Sequence, residues 1–113
     1  MKSITLKIVK ENVSGRDVFF SYYELLKSVI NNPVQGGFSV DEMQQRIRLL
    51  SKLKQHKSQF DIKETEFNDS MLTRTAVLEI EDADYDKLKQ LVNDMRWGVV
   101  AEAIVEFSQE FKK

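Results

Sequence analysis

The chain has 113 residues, 17 Lys/Arg against 18 Asp/Glu, one His, no Cys and a formal net charge of −1. This length suits a single domain, 1–113, that can bury a core without a metal or disulfide staple. The lack of cysteine excludes disulfides, thiolate catalysis and Cys-ligated zinc, and the near-neutral charge argues against indiscriminate nucleic-acid binding.

Ile4, Leu6 and Ile8 alternate with Thr5 and Lys7, the period of a half-buried strand. Asn12 to Gly15 is turn material, and Val18 to Phe20 fits a short return strand. Ser21 and Glu24 are spaced as a capping box for a helix carrying Tyr22, Leu25, Leu26, Val29 and Ile30 on one face. Asn31-Asn32-Pro33 should end it, because proline disfavours helical geometry in the residue before it.

After the bend at Gly36-Gly37, Ser39 and Glu42 form a second capping box. The helix that follows, taken as 40–57, is expected to bury Val40, Met43, Ile47, Leu50 and Leu53. Its acids lie at the start and its bases at the end, as the helix dipole prefers. Residues 55–75 read as a charged hairpin, with Phe60, Ile62 and Phe67 in one strand, or as a mobile loop. Ala76 to Ile80 is the expected returning strand.

Asp82 should cap a third helix, striped by Tyr85, Leu88, Leu91, Val92 and Met95, with Gly98 as the residue just past its end. A last helix places Val100, Ala103, Ile104, Phe107 and Phe111 on one side. The expected fold is α+β, with about four helices and a small antiparallel sheet or hairpin.

Chemistry is scarce. Asp82, Asp84 and Asp86 imitate the start of a calcium loop, but Lys87 and Asn93 stand where that loop needs glycine and a bidentate glutamate. His56, the only histidine, has no nucleophile motif near it, and Gly36-Gly37 lacks the Lys-Ser/Thr of a phosphate loop. Neither a catalytic residue, a metal site nor a cofactor is expected, and an enzyme is the least favoured class. No apolar run approaches the roughly 18 residues of a membrane span. The N-terminal residues alternate in polarity, unlike a signal peptide, so a cytoplasmic protein with no membrane contact is expected.

Charge patterning says more. Residues 1–57 hold 10 basic and 5 acidic side chains, and 58–113 hold 7 and 13, a split of +5 and −6. Arg48, Lys52 and His56 recur every four residues, as do Glu102, Glu106 and Glu110. On helices these stack into ridges of like charge, each neighbouring pair costing about 0.2–0.5 kcal/mol. Two ridges of opposite sign invite pairing within a chain, between copies or with other proteins. Trp97, with Arg96 beside it, is a candidate anchor, and the aromatics Phe19, Phe20, Tyr22 and Tyr23 cannot all face one core.

A second possibility lies on the polar face of the second helix. Gln44, Gln45, Arg48 and Lys52 are side-chain types that read base edges and phosphates. Helix, bend, capped helix and hairpin also imitate a winged helix-turn-helix order, so DNA is the alternative partner.

Two segments carry a resemblance: Asn32-Pro33-Val34-Gln35-Gly36-Gly37-Phe38-Ser39-Val40-Asp41-Glu42-Met43, and Leu78-Glu79-Ile80-Glu81-Asp82-Ala83-Asp84-Tyr85-Asp86-Lys87-Leu88-Lys89 with Met95-Arg96-Trp97 after it. Together they resemble small uncharacterised proteins encoded in phage and prophage gene clusters. The resemblance covers about half the chain and implies a phage context, in particle assembly or in control of phage genes. The expectation is a non-enzymatic protein–protein interaction or assembly module, self-associating or binding a protein partner.

Overall fold

The computed structural model describes residues 1–60 and 69–112. Strand β1 (Lys2–Val13) turns into β2 (Arg16–Ser21), which leads directly into helix α1 (Tyr22–Asn31). Helix α2 (Val40–Lys54) and the short α3 (Lys57–Phe60) follow. Beyond the undescribed stretch, a 3₁₀ turn at Asp69–Thr73 enters β3 (Thr75–Ile80), and helices α4 (Asp82–Asp94) and α5 (Glu102–Gln109) complete the fold. It is an α+β fold built on a three-stranded antiparallel sheet of order β2-β1-β3.

The long β1 is shared between two partners. Its first half pairs with β3, from Lys2 opposite Ile80 to Lys7 opposite Thr75. Its second half pairs with β2, from Ile8 opposite Ser21 to Val13 opposite Arg16. The turn between β1 and β2 holds Ser14 at φ 54° and Gly15 at φ 85°, the two positive angles that a type I′ hairpin needs. Asn12 Oδ1 accepts from the Gly15 amide at 3.1 Å and fixes it.

Alternation sends Ile4, Leu6 and Ile8 of β1, with Leu78 and Ile80 of β3, into one core. Tyr22, Leu26, Val29 and Ile30 of α1 meet them there, as do Leu49 and Leu53 of α2, Tyr85, Leu88 and Val92 of α4, and Phe107 and Phe111 after them. Phe107 is the aromatic hub: Tyr22, Trp97 and Phe111 all meet it edge to face, at centroid distances of 5.2, 6.3 and 5.6 Å. Four aromatics crowd the start of α1, and burial sorts them. Tyr22 and Tyr23 are buried, while Phe19 and Phe20 are half-buried on β2.

Several expectations are corrected. Ser21 occupies the N-cap position of α1 without making a cap hydrogen bond, and its buried hydroxyl meets no partner among the described residues. Ser39 does cap α2, accepting from the Glu42 amide at 3.1 Å. The Glu42 carboxylate does not reach back, because it is taken up by two cations. Helix α4 ends at Asp94, so Gly98 is not its capping glycine. Val100 is 98% exposed and leaves the apolar side of α5 to Ala103, Ile104 and Phe107.

The expected hairpin at 55–75 falls partly on residues 61–68, which lie outside the described residues. On the near side Phe60 is helical, stacked on Tyr23 at 6.0 Å. On the far side the chain forms a 3₁₀ turn, and the strand that follows pairs with β1.

Candidate functional site

Helix α2 should present one apolar face inward and one polar face outward. It presents a different arrangement. The positions that turn inward are Arg46, Leu49 and Leu53, with Glu42 and Lys52 half-buried beside them. Val40, Met43 and Ile47 are 68%, 44% and 60% exposed. The expectation that they belong to the core is overturned. Two candidate inward-facing series overlap on this helix, 46–49–53 and 40–43–47–50, and α1 and β3 cover the first. Leu50 is half-buried at the border between them.

Ion pairs tie the inner side to its neighbours. Asp84 of α4 is a buried carboxylate, its side chain 3% exposed, and both its oxygens are taken: Arg48 donates to one at 2.6 Å and Lys52 to the other at 3.2 Å. Burial alone would raise the Asp84 carboxyl, but hydrogen bonds from Arg48 and Lys52 outweigh it and hold the group below its ordinary value. One turn away, Glu42 accepts from Lys87 of α4 at 2.9 Å and from Arg46 at 2.9 Å. The Lys87 and Arg46 hydrogen bonds lower its carboxyl in turn.

Arg46 also closes α1. Its guanidinium donates to the Ile30 and Asn32 carbonyls at 2.9 and 3.3 Å, where the helix runs out of its own amides. It lies over the Phe38 ring at 4.4 Å, which brings the 32–39 connection down onto the helix pair.

The two charge ridges therefore do not meet. Arg48 and Lys52 converge on Asp84, which the sequence offers only as one of three aspartates at the start of a helix. His56, half-buried, contributes its backbone: it donates to the Leu53 carbonyl and accepts from Gln59. On the acidic ridge, Glu110 turns back to β1, accepting from the Thr5 amide at 3.3 Å, while its carbonyl accepts from the Tyr85 hydroxyl at 3.0 Å. Glu102 and Glu106 are exposed. Burial, with the charges of Glu106 and Glu110 behind it, pushes the Tyr22 phenol up to about 12.

Trp97 is half-buried against Phe107 and belongs to the core edge, while Arg96 beside it is exposed. On the polar side of α2, Gln44 is exposed and Gln45 half-buried. The start of α5 is completed from a distance: Ala101 has no side chain with which to cap it, and the Glu11 carboxylate of β1 accepts from the Glu102 and Ala103 amides at 3.1 and 2.7 Å.

What the structure leaves uncovered is the outer series of α2. Met43, Ile47 and Leu50, with Ile30, Phe38 and Arg46, line a shallow cleft of about 180 Å³ where the end of α1 meets α2. The helix surface beyond the stripe carries Gln44 and Ser51, both uncharged. Arg46 borders the strip on the other side and Lys54 follows its end, giving an apolar strip with a polar rim, the general plan of a protein interface.

Among the described residues no three acidic or histidine side chains converge as metal ligands, and no helix is long and apolar enough to cross a membrane. The chain matches no protein-family model, no curated protein and no solved structure.

Proposed function

We propose that this protein is a non-enzymatic protein–protein interaction module whose contact surface is the outer face of α2. One observation carries the reading: Val40, Met43 and Ile47 stand exposed in line on a helix whose other side is anchored by two sets of ion pairs. Isolated exposed apolar residues are ordinary, but a contiguous strip with a polar rim is what a partner's core-like patch requires. The anchoring matters as much as the strip. A helix held rigid at its back loses little further freedom when a partner docks on its front, so more of the burial free energy appears as affinity. The resemblance to phage and prophage proteins sets the proposal in phage particle assembly or gene control.

This reading moves the interaction away from the charge ridges. Arg48 and Lys52 serve the α2–α4 seam, and Glu110 serves β1. The DNA-binding alternative loses support on the same ground. Its two cations are already shared with a buried carboxylate, and β3, the strand that follows the helix pair among the described residues, pairs with β1.

A photo-crosslinking side chain at position 47 tests the proposal in cells that make the protein. Covalent protein adducts at 47, lost when Val40 and Met43 are changed to serine, are the expected result. Equal labelling at 47 and at the exposed Val105 of α5 overturns it.

A further inference from the structure

The exposed stripe of α2 is self-complementary, and we infer that its occupant is a second copy of this chain, docked antiparallel across a two-fold axis. This inference rests on the interaction reading above. Positions 40, 43, 47 and 50 are separated by three, four and three residues, a spacing that is the same read forwards or backwards. Turning a copy of α2 end over end about the middle of the stripe lays Val40 against the second copy's Leu50, and Met43 against its Ile47. Symmetry repeats both contacts, as an isologous interface demands. All four layers are then apolar, in the manner of a two-helix seam with knobs at a and d positions.

Charge selects the same orientation. Glu42 and Lys52 are engaged on the inner side, which leaves Asp41 as the exposed charge in the first turn of α2 and Lys54 as the exposed charge in the last. Antiparallel docking sets the basic end of one helix beside the acidic start of the other, whereas parallel docking sets like beside like. Lys54 continues the stripe four residues past Leu50, is exposed, and forms no ion pair with a described residue. Helical side chains lean toward their own N-terminus, which carries its ammonium back over the second copy's first turn. Gln44, the residue nearest the two-fold axis on the outer flank, has a carboxamide that donates and accepts, so two copies satisfy each other. The cleft beside the stripe gives the second copy's side chains a place to seat.

A seam of four turns lies at the small end of specific interfaces, below about 1,200 Å² of total buried area. The dimer should accordingly form and dissociate with concentration. Light scattering from about 10 μM to about 0.5 mM is expected to show a mass rising from 13.2 kDa toward twice that value.

The absence of cysteine makes the geometry readable. Mild oxidation should join Met43→Cys to Ile47→Cys by a disulfide about tenfold faster than it joins either variant to itself, because that pair faces directly across the seam while like positions are offset by about 6 Å. Val105→Cys should stay unjoined, and Lys54→Glu should weaken the dimer about fivefold with an unchanged circular dichroism spectrum.

A mass of 13.2 kDa throughout overturns the inference. So do like-with-like crosslinks outpacing the mixed pair, or equal joining at Val105→Cys. The in-cell crosslinker at position 47 then separates the two ideas. Adducts with a different protein keep the interaction reading and give the stripe to that protein, while no adducts at 47 remove both.

Discussion

The two sides of α2 invert the usual distribution of side chains. Its inner side carries Glu42, Arg46 and Lys52 among the leucines, every charge with a partner. Its outer side carries valine, methionine and isoleucine without cover. Burying charge is costly, and a hydrophobic replacement often does as well or better. What ion pairs add over leucines is direction: Arg46 fits only where two carbonyls and Glu42 await it, and Asp84 only between two cations. The inner side thus fixes how α2 is rotated about its axis, and that rotation is what turns 40–43–47–50 outward.

The largest effect should come from stripping the cations from the seam. Arg48→Ala with Lys52→Ala leaves the Asp84 carboxylate buried and unpaired, which should cost about 3–5 kcal/mol in urea denaturation. Asp84→Ala should cost less, about 1–3 kcal/mol, because Arg48 is 55% exposed and both cations can turn to water. If Asp84→Ala proves the more damaging, the seam is not held by its cations in this way.

Acid sharpens the same point. Asp84 and Glu42 are held below their ordinary values of 3.8 and 4.5 in the fold. Their contribution is therefore complete above that range and lost as pH falls through and below it. In the doubly stripped variant the sign reverses. Burial without cations raises Asp84, so acidification toward pH about 4 should stabilise that variant relative to neutral pH. Thermal melts of both proteins across this range would show opposite slopes.

Arg46→Met tests the link between α1 and α2. Two carbonyls at the end of α1 lose a charged donor while Glu42 keeps Lys87, and about 2–3 kcal/mol should follow. The smallest expected effect lies outside: Ile47→Ser should change stability by no more than about 0.5 kcal/mol while abolishing the rise in mass with concentration. A loss comparable to that of Arg46→Met would mean that Ile47 packs inside its own chain.

Much of the fold was legible because local signals and tertiary structure agree. The 4–6–8 alternation, the Asn12–Gly15 turn, the proline stop at 33 and the Ser39 cap all rest on short-range physics. The rotation of α2 was not legible. Its two apolar series differ by a fraction of a turn, and one series is completed by an arginine, which periodicity counts as polar. Asp84 was hidden for a similar reason: a carboxylate in a first helical turn is common on dipole grounds alone, and nothing local separates a solvated one from one that two cations 36 and 32 residues away will enclose. The Ser21 box failed because β2 runs straight into α1, leaving its hydroxyl buried at the junction.

The reach from Glu11 to the start of α5 has a consequence in time. The amides it receives lie 91 and 92 residues further along the chain, and β1 waits almost as long for β3. β1 is made well before these partners and is fully satisfied only after both have followed it. Contacts so remote in sequence slow the search for the native state, and until they close, β1 exposes a bare edge and an apolar face to its surroundings.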